Sequence, residues 1–454
     1  MNATTHRSDS DFYASLIDKA SAIEARYRAA TPRSAELLTK AQKVIPGGTT
    51  RDSLLRWPYA PFLERGDGCF LFDVDQNRMV DFWFNATSLP LGYCHPAVSE
   101  AVTKQVALGT AFFGPGRRET ELAEAILMRL PNADKVRFTN SGSEAVMLGL
   151  RLARGATGRD IVGKFEGSYH GTYDDVSWSV GPPAASVGSL VTPNAVPESA
   201  GLPSGLGRVL VLPFNDLSAT TALIEREAGK IAALILEPVA TRMGFVLPRR
   251  EFVQGLRELC DSHGIVLIFD EVIAFRIGYN GAQGVLGVEP DLTVLGKVIG
   301  GGFPVGAVAG KSKILMLTDA LAQGRVTHAG TFNGNPVTMS AGHATMRQLT
   351  PAVFDRMNTQ GERIRNGLKG AFRGLPLQVT GAGSLFKISA TAQEIVDYRG
   401  TLTSNRRWEE ILSLALLNDG YFLTPRLQGC VSAVTSDDQV SMFVDGVKSI
   451  VVGA

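Results

Sequence analysis

Between residues 135 and 295 the chain alternates between two kinds of segment. Short runs dominated by apolar residues fall at 161–165, 209–212, 231–237, 265–270 and 292–295, and a short strand of mixed character is expected at 135–138. Between several of them lie longer stretches with helical period, at 143–154, 217–228 and 249–263. Strands that are apolar along their whole length, rather than at every second residue, are buried on both faces. The alternation therefore predicts an α/β fold: a mostly parallel sheet between layers of helices.

The flanks read differently. Residues 11–30 and 34–44 have the spacing of amphipathic helices, and Ile45-Pro46-Gly47-Gly48 breaks that pattern. Short strands are expected at 62–64, 69–73 and 79–82, with turns at Gly66-Asp67-Gly68 and Asp75-Gln76-Asn77. Residues 181–207, rich in Pro, Gly, Ser and Ala, read as a long surface excursion. From Pro336 onward come helices at 337–349 and 352–372, strands near 378–379 and 384–388, a helix at 405–418 and a strand at 421–423. This is the pattern of a smaller α+β unit, which the N-terminal strands are expected to complete. The division is residues 1–80 (joining the small domain), 81–335 (large domain) and 336–454 (small domain).

Composition excludes some partners. The 454 residues carry a net charge of +1, so no bulk attraction to nucleic acid or anionic membrane is expected. An anionic ligand needs a local site. Cys69, Cys94, Cys260 and Cys430 show neither C-x-x-C nor zinc-ligand spacing, so reduced thiols and no metal are expected. The first thirteen residues include Asp9 and Asp11 and lack an apolar core, so no secretory signal is expected. No apolar run has the length of a membrane span. A cytoplasmic location fits.

Five segments hold residue types suited to chemistry. Asn140-Ser141-Gly142-Ser143 lies between a strand and a helix, where free amides and the helix dipole favour an anion; a plain N-cap is the structural alternative. Asp270 closes an apolar strand, where open α/β sheets bind ligands. It is either a strand-end cap or the partner of a buried cation. Lys297, between a strand and Gly300-Gly301-Gly302, is a solvated loop lysine or a desolvated amine with a lowered pKa. Tyr169, in Gly167-Ser168-Tyr169-His170-Gly171, could pack in the core or stack on a planar ring. Gly330-Thr331-Phe332-Asn333 is a turn-rich loop with a free hydroxyl.

Taken in order along one α/β chain, these segments resemble the fold-type I pyridoxal-phosphate enzymes, and within them the class III aminotransferases. The resemblance extends over nearly the whole chain and includes Leu91-Gly92-Tyr93-Cys94-His95-Pro96 and Leu236-Glu237-Pro238-Val239. It implies a pyridoxal 5′-phosphate enzyme acting on small molecules as a homodimer. Lys297 matches the lysine that holds the cofactor, and Asp270 the acid facing its pyridine nitrogen. Val272 and Tyr169 match the residues on the two ring faces. Ser141, Gly142 and Ser143 match the phosphate cradle, and Thr331 the residue reaching the phosphate from the partner subunit. Glu237 matches a supporting glutamate.

Two subgroups are similar. Gly300-Gly301-Gly302-Phe303-Pro304-Val305-Gly306 resembles the glutamate-1-semialdehyde aminomutases. Those enzymes usually carry a glycine between the positions of Ala274 and Phe275, and here it is missing, as in the β-amino acid aminotransferases. Arg51 and Arg426 resemble the carboxylate-binding arginines of that second group, and a guanidinium fork suits a carboxylate; surface arginines are the alternative. The resemblance thus implies transfer from a β-amino acid, aromatic ones included, to an oxo acid such as 2-oxoglutarate or pyruvate. The aminomutase and, more remotely, a non-catalytic cofactor-binding protein are the alternatives.

Overall fold

The strand Val266–Asp270 shows how the chain is layered. In this computed structural model, which describes residues 8–203 and 208–453, all five of its residues are buried. Val266 and Ile268 pack with Ala145, Leu148 and Val294 in one core, while Leu267 and Phe269 pack with Phe165, Phe252 and Leu256 in another. Alternate side chains of one strand thus feed cores on opposite faces of the sheet. This is why the sequence shows an unbroken apolar run.

The N-terminal strands are β1 (Leu63–Asp67), β2 (Phe70–Asp73) and β3 (Arg78–Asp81). The central sheet holds β4 (Lys135–Thr139), β5 (Ile161–Phe165), β6 (Val209–Leu212), β7 (Ile231–Leu236), β8 (Val266–Asp270), β9 (Leu292–Gly296) and β10 (Gly306–Gly310), in the order β4-β10-β9-β8-β7-β5-β6. Every pairing is parallel except those of β10, which is antiparallel to both β4 and β9. The parallel sheet expected from the sequence is present. β10 escapes sequence reading because Gly306-Ala307-Val308-Ala309-Gly310 has little intrinsic strand preference.

Two small sheets follow. β11 (Gln378–Thr380), β12 (Leu385–Ser389) and β14 (Gln428–Cys430) form one of them. β13 (Tyr421–Phe422) lies parallel to β3, with Tyr421 opposite Val80, so strands from both ends of the chain share a sheet. Phe82, Phe386 and Phe443 meet beneath it, with centroids 4.5–6.0 Å apart.

Three differences from the sequence reading have physical causes. The single helix expected over 11–30 is two, Asp9–Ile17 and Ala20–Ala30, because they serve different cores: Phe12 packs on Trp408, and Tyr27 on Tyr59. Helix Pro96–Leu108 starts on the proline of His95-Pro96, a position that suits its fixed φ. Helix Asp437–Val452, also unexpected, opens with a capping box between Ser436 and Gln439. Of the excursion at 181–207, residues 204–207 lie outside the described residues. The preceding part is strapped down by Arg399, which donates to the carbonyls of Val187, Gly188 and Ser189 and pairs with Glu166 at 2.8 Å.

Candidate active site

The pleat fixes which end-of-strand residues meet. Asp270 continues the parity of Val266 and Ile268, and Glu237 that of Ala233 and Ile235, so both follow the sheet face that packs on helix Gly142–Thr157. Lys297 comes directly after β9, and Tyr169 follows β5. All four stand at or just beyond the carboxyl ends of parallel strands.

Asp270 is 6% exposed and held from two sides. Its Oδ1 accepts the Val272 amide at 3.1 Å, and Oδ2 lies 2.8 Å from Nδ1 of His170. Glu237 accepts the Tyr169 amide at 2.9 Å and is also buried. Burial, and secondarily the charge of Asp270, raise its pKa, while His170 works the other way. The Lys297 amine makes no hydrogen bond or ion pair among the described residues. Burial lowers its pKa, opposed by Asp270 and Glu237, so its amine is a better nucleophile than an exposed lysine. Its backbone is left-handed, φ 46°. A non-glycine residue there costs on the order of 1–3 kcal/mol, which the surrounding packing must hold in place.

Beside the lysine is a slot one residue deep. A Cβ on Gly142 would lie 2.9 Å from Cγ2 of Val272, and one on Gly296 3.3 Å from its Cγ1. Val272 therefore fills the space between the helix start and the end of β9. The Tyr169 side is more open: this residue is 39% exposed, and the Arg242 guanidinium carbon lies 5.4 Å from its ring centroid.

Helix Gly142–Thr157 begins at Ser141, whose Oγ accepts the Glu144 amide at 3.2 Å, so Ser141 is an N-cap. The amides of Gly142 and Ser143, at the first two positions, have no partner within the helix and are available to an anion. The loop after Tyr169 closes on this turn: the Thr172 amide donates to Ser143 Oγ at 3.3 Å, and a Cβ on Gly171 would come within 2.2 Å of that oxygen.

The remaining sequence-derived residues lie further out. Thr331 is exposed, on a loop tied back by Asn333, whose Oδ1 accepts from Asn140 at 2.8 Å. It borders a cavity of about 340 Å³ lined also by Leu108, Phe112 and Phe332. Arg51 is exposed and donates to Asn85 at 3.1 Å. Asn85 belongs to a left-handed turn, Phe84 to Thr87, whose φ angles are all between 47° and 71°. Asp81 accepts the Phe84 amide at 3.0 Å, and the buried Arg276 donates to the Thr87 carbonyl at 2.8 Å. Arg426 is exposed on the turn between β13 and β14. No contact joins it to Arg51 among the described residues.

Three residues near the centre escaped the sequence reading: His170, Lys164 and Arg242. Lys164 had the clearest signal, a cation inside an apolar strand. It is fully buried and donates to the carbonyls of Ser168, at 2.9 Å, and Trp178. It thereby fixes the residue before Tyr169.

These groups fit pyridoxal 5′-phosphate. A desolvated amine without a partner suits an aldehyde, a braced carboxylate a pyridinium, a partly exposed phenol ring a planar heterocycle, and a free helix N-terminus a phosphate. Among the described residues, no cluster of three or more His, Cys, Asp or Glu could hold a metal ion, and no helix is long and apolar enough to cross a membrane.

Fold and site together define a pyridoxal-phosphate-dependent transferase of fold type I. The pattern of the family Aminotransferase class-III matches residues 56–424. An omega-transaminase from Sphaerobacter thermophilus is 43% identical, covers 92% of this chain and 97% of its own, and superposes with a TM-score of 0.89. A β-phenylalanine aminotransferase from Variovorax paradoxus is 30% identical over 96% of this chain and 98% of its own, with a TM-score of 0.86. A glutamate-1-semialdehyde 2,1-aminomutase from Methanothermobacter thermautotrophicus is 39% identical over 93% of this chain and 99% of its own length. The chain belongs to the class III aminotransferases. It is an enzyme, and its cofactor is pyridoxal 5′-phosphate.

Proposed function

We propose that this enzyme transfers an amino group from a β-amino acid, aromatic ones included, to an oxo acid, and that it works as a cytoplasmic homodimer. The observation that carries the reading is the supply of unneutralised guanidinium groups outside the cofactor site. Arg51 and Arg426 have no carboxylate partner among the described residues and are free to take one. The relatives named for omega-transaminase and β-phenylalanine aminotransferase activity support the same choice.

Bound pyridoxal phosphate supplies an electron sink for the carbanion left when the substrate carbon loses its proton. The protein's part follows from the geometry. Lys297 Nζ takes the proton from the amine-bearing carbon and returns it, its lowered pKa leaving a larger share of the amine free to do so. Asp270 holds the proton at the pyridine nitrogen, with His170 and the Val272 amide fixing the carboxylate's orientation. Tyr169 and Val272 would cover the two ring faces, and the Ser141–Ser143 turn would bind the phosphate. Thr331 of a second subunit would complete the phosphate site. In a β-amino acid the carboxylate is not on the reacting carbon, so it must be gripped at a distance, the task given to Arg51 and Arg426.

A second reading has its own support, because aminomutases are 36–40% identical to this chain over most of their length. Under it, the enzyme isomerises glutamate 1-semialdehyde with no second substrate. A panel of α-, β- and γ-amino donors against 2-oxoglutarate and pyruvate separates the two. Transfer from β-amino donors supports the first reading. Semialdehyde conversion to aminolevulinate without an acceptor, and no transfer, replaces it with the second.

A further inference from the structure

Arg242 stands beside this site with no part in the chemistry above. It lies on the loop after β7, and its guanidinium carbon is 5.4 Å from the centroid of the Tyr169 ring. The nearest carboxylate oxygen, on Glu198, is 3.7 Å from Nη1, which is an ion pair without a hydrogen bond. The two side chains are 33% and 35% exposed, so solvent screens the pair. Arg242 makes no hydrogen bond among the described residues, which leaves its N–H fork free for an anion.

The same loop is locked to the turn that carries Arg426. The Thr241 carbonyl accepts from Gln428 Nε2 at 2.7 Å, and the Gln428 amide donates to Thr424 Oγ1 at 2.9 Å, closing the turn around Arg426. Although Arg426 reaches the surface, partial desolvation first, then the like charges of Arg406 and Arg242, hold its guanidinium below its usual pKa. Arg406 is itself occupied, 3.1 Å from Glu409, and Glu409 is already paired with Lys387 at 2.9 Å. Two cations therefore stand on interlocked loops, and the one carboxylate paired with either of them among the described residues is the half-exposed, loosely held Glu198. Like charges so placed repel, and an anion between them relieves the repulsion.

We propose that Arg242 and Arg426 form a paired seat for the two carboxylates of an oxo diacid, with Arg242 setting the preference for a diacid acceptor over a monoacid. This deepens the aminotransferase reading and rests on it. A monoacid such as pyruvate satisfies one arginine and leaves the other facing a like charge. A diacid such as 2-oxoglutarate neutralises both. Over the full reaction the donor's C–NH2 becomes C=O and the acceptor's C=O becomes C–NH2, so no outside oxidant or reductant is needed.

The test compares Arg242→Gln with the wild-type holoenzyme. KM for 2-oxoglutarate should rise about tenfold or more, the scale of one lost charge-assisted contact. By contrast, kcat/KM for pyruvate and the donor half-reaction should stay within about threefold, a shift well under one such contact. Arg242→Lys should recover part of the loss. A binding readout goes with it: glutarate and butyrate are titrated into the enzyme and followed by cofactor absorbance. Wild type should bind glutarate more tightly than butyrate, and Arg242→Gln should erase that difference. Equal losses for both oxo acids, or an unchanged glutarate preference, would overturn the proposal. If the wild type transfers no amino group to any oxo acid, the aminotransferase reading falls, and the glutarate titration still decides whether the seat exists.

Discussion

Nδ1 of His170 lies 2.8 Å from Oδ2 of Asp270, with both side chains buried. With Asp270 ionised, the histidine donates, and its other nitrogen, Nε2, has no partner among the described residues. The carboxylate is thus aimed before any ligand arrives. Replacing Asp270 by Asn keeps the shape and removes the charge, so kcat should fall by roughly 10²–10³-fold or more. Half-reaction rates in a stopped-flow spectrometer measure this. Near-normal turnover would remove Asp270 from its proposed role.

Lys297 brings to the site an amine that no hydrogen bond or ion pair holds among the described residues. Borohydride reduction of the holoenzyme, followed by peptide mapping, should place the pyridoxyl label on Lys297. Lys297→Ala should retain weak cofactor binding and lose turnover. A label on Lys164 or any other lysine would reassign the centre.

Lys164 gives a stability test instead. Burial pushes its ammonium down to about 7, from the 10.5 of an ordinary lysine. Between those pH values the unfolded chain binds more protons than the folded one, so this group makes stability rise with pH across the window. Lys164→Met should flatten that rise, read as urea midpoints from pH 7 to 10 for variant and wild type. Identical slopes would mean that Lys164 is not the group responsible.

Much of this was legible from residue order. Apolar runs gave the parallel strands, because burial on both faces leaves no alternation to obscure them. Lys297, Asp270 and Tyr169 stood out because each polar or aromatic group lies at or shortly after the end of such a run. What stayed hidden depends on contacts across the chain. The bracing of Asp270 needs a histidine from another strand's loop, and the locking of the Arg242 loop to the turn that carries Arg426 needs the Thr241–Gln428 hydrogen bond, between residues far apart in sequence. Tertiary pairing also decides β10, whose Gly/Ala sequence is made a strand by its two neighbours. The left-handed turn from Phe84 to Thr87 contains no glycine, so nothing in its composition announces it.

The exposed surface around Thr331 carries the oligomer prediction. Leu108, Phe112 and Phe332 line one cavity beside it, and all three are exposed. Apolar groups gathered this way mark an interface more often than free surface. Sedimentation should show dimers or multiples of them, and a Phe112→Asp, Phe332→Asp double variant should yield monomers with reduced activity and cofactor affinity. A fully active monomer would contradict the shared phosphate site.

The donor class is tested through Arg51 and Arg426. Among the described residues the Arg51 side chain is tied to Asn85 alone, at 3.1 Å, a neutral partner that orients the guanidinium without neutralising it. Arg426 has no such tether among the described residues. A β-amino acid must present its carboxylate to a fixed cation while the C–H bond to be broken stays aligned with the ring's π-system, and a small displacement spoils that alignment. Replacing either arginine by Ala should lower kcat/KM for β-amino donors by about 1.5–3 kcal/mol in transition-state stabilisation, the worth of a hydrogen bond to a charged group. An amine without a carboxylate lacks that contact and should be affected far less. The ratio of kcat/KM for a β-amino acid to that for the matching plain amine is therefore the decisive quantity, because a general loss of folding or cofactor cancels from it. A fall in this ratio for Arg51→Ala but not Arg426→Ala would give the donor carboxylate to the N-terminal segment and leave Arg426 to the acceptor. An unchanged ratio in both variants would return the two arginines to the surface and remove the basis for a β-amino acid donor.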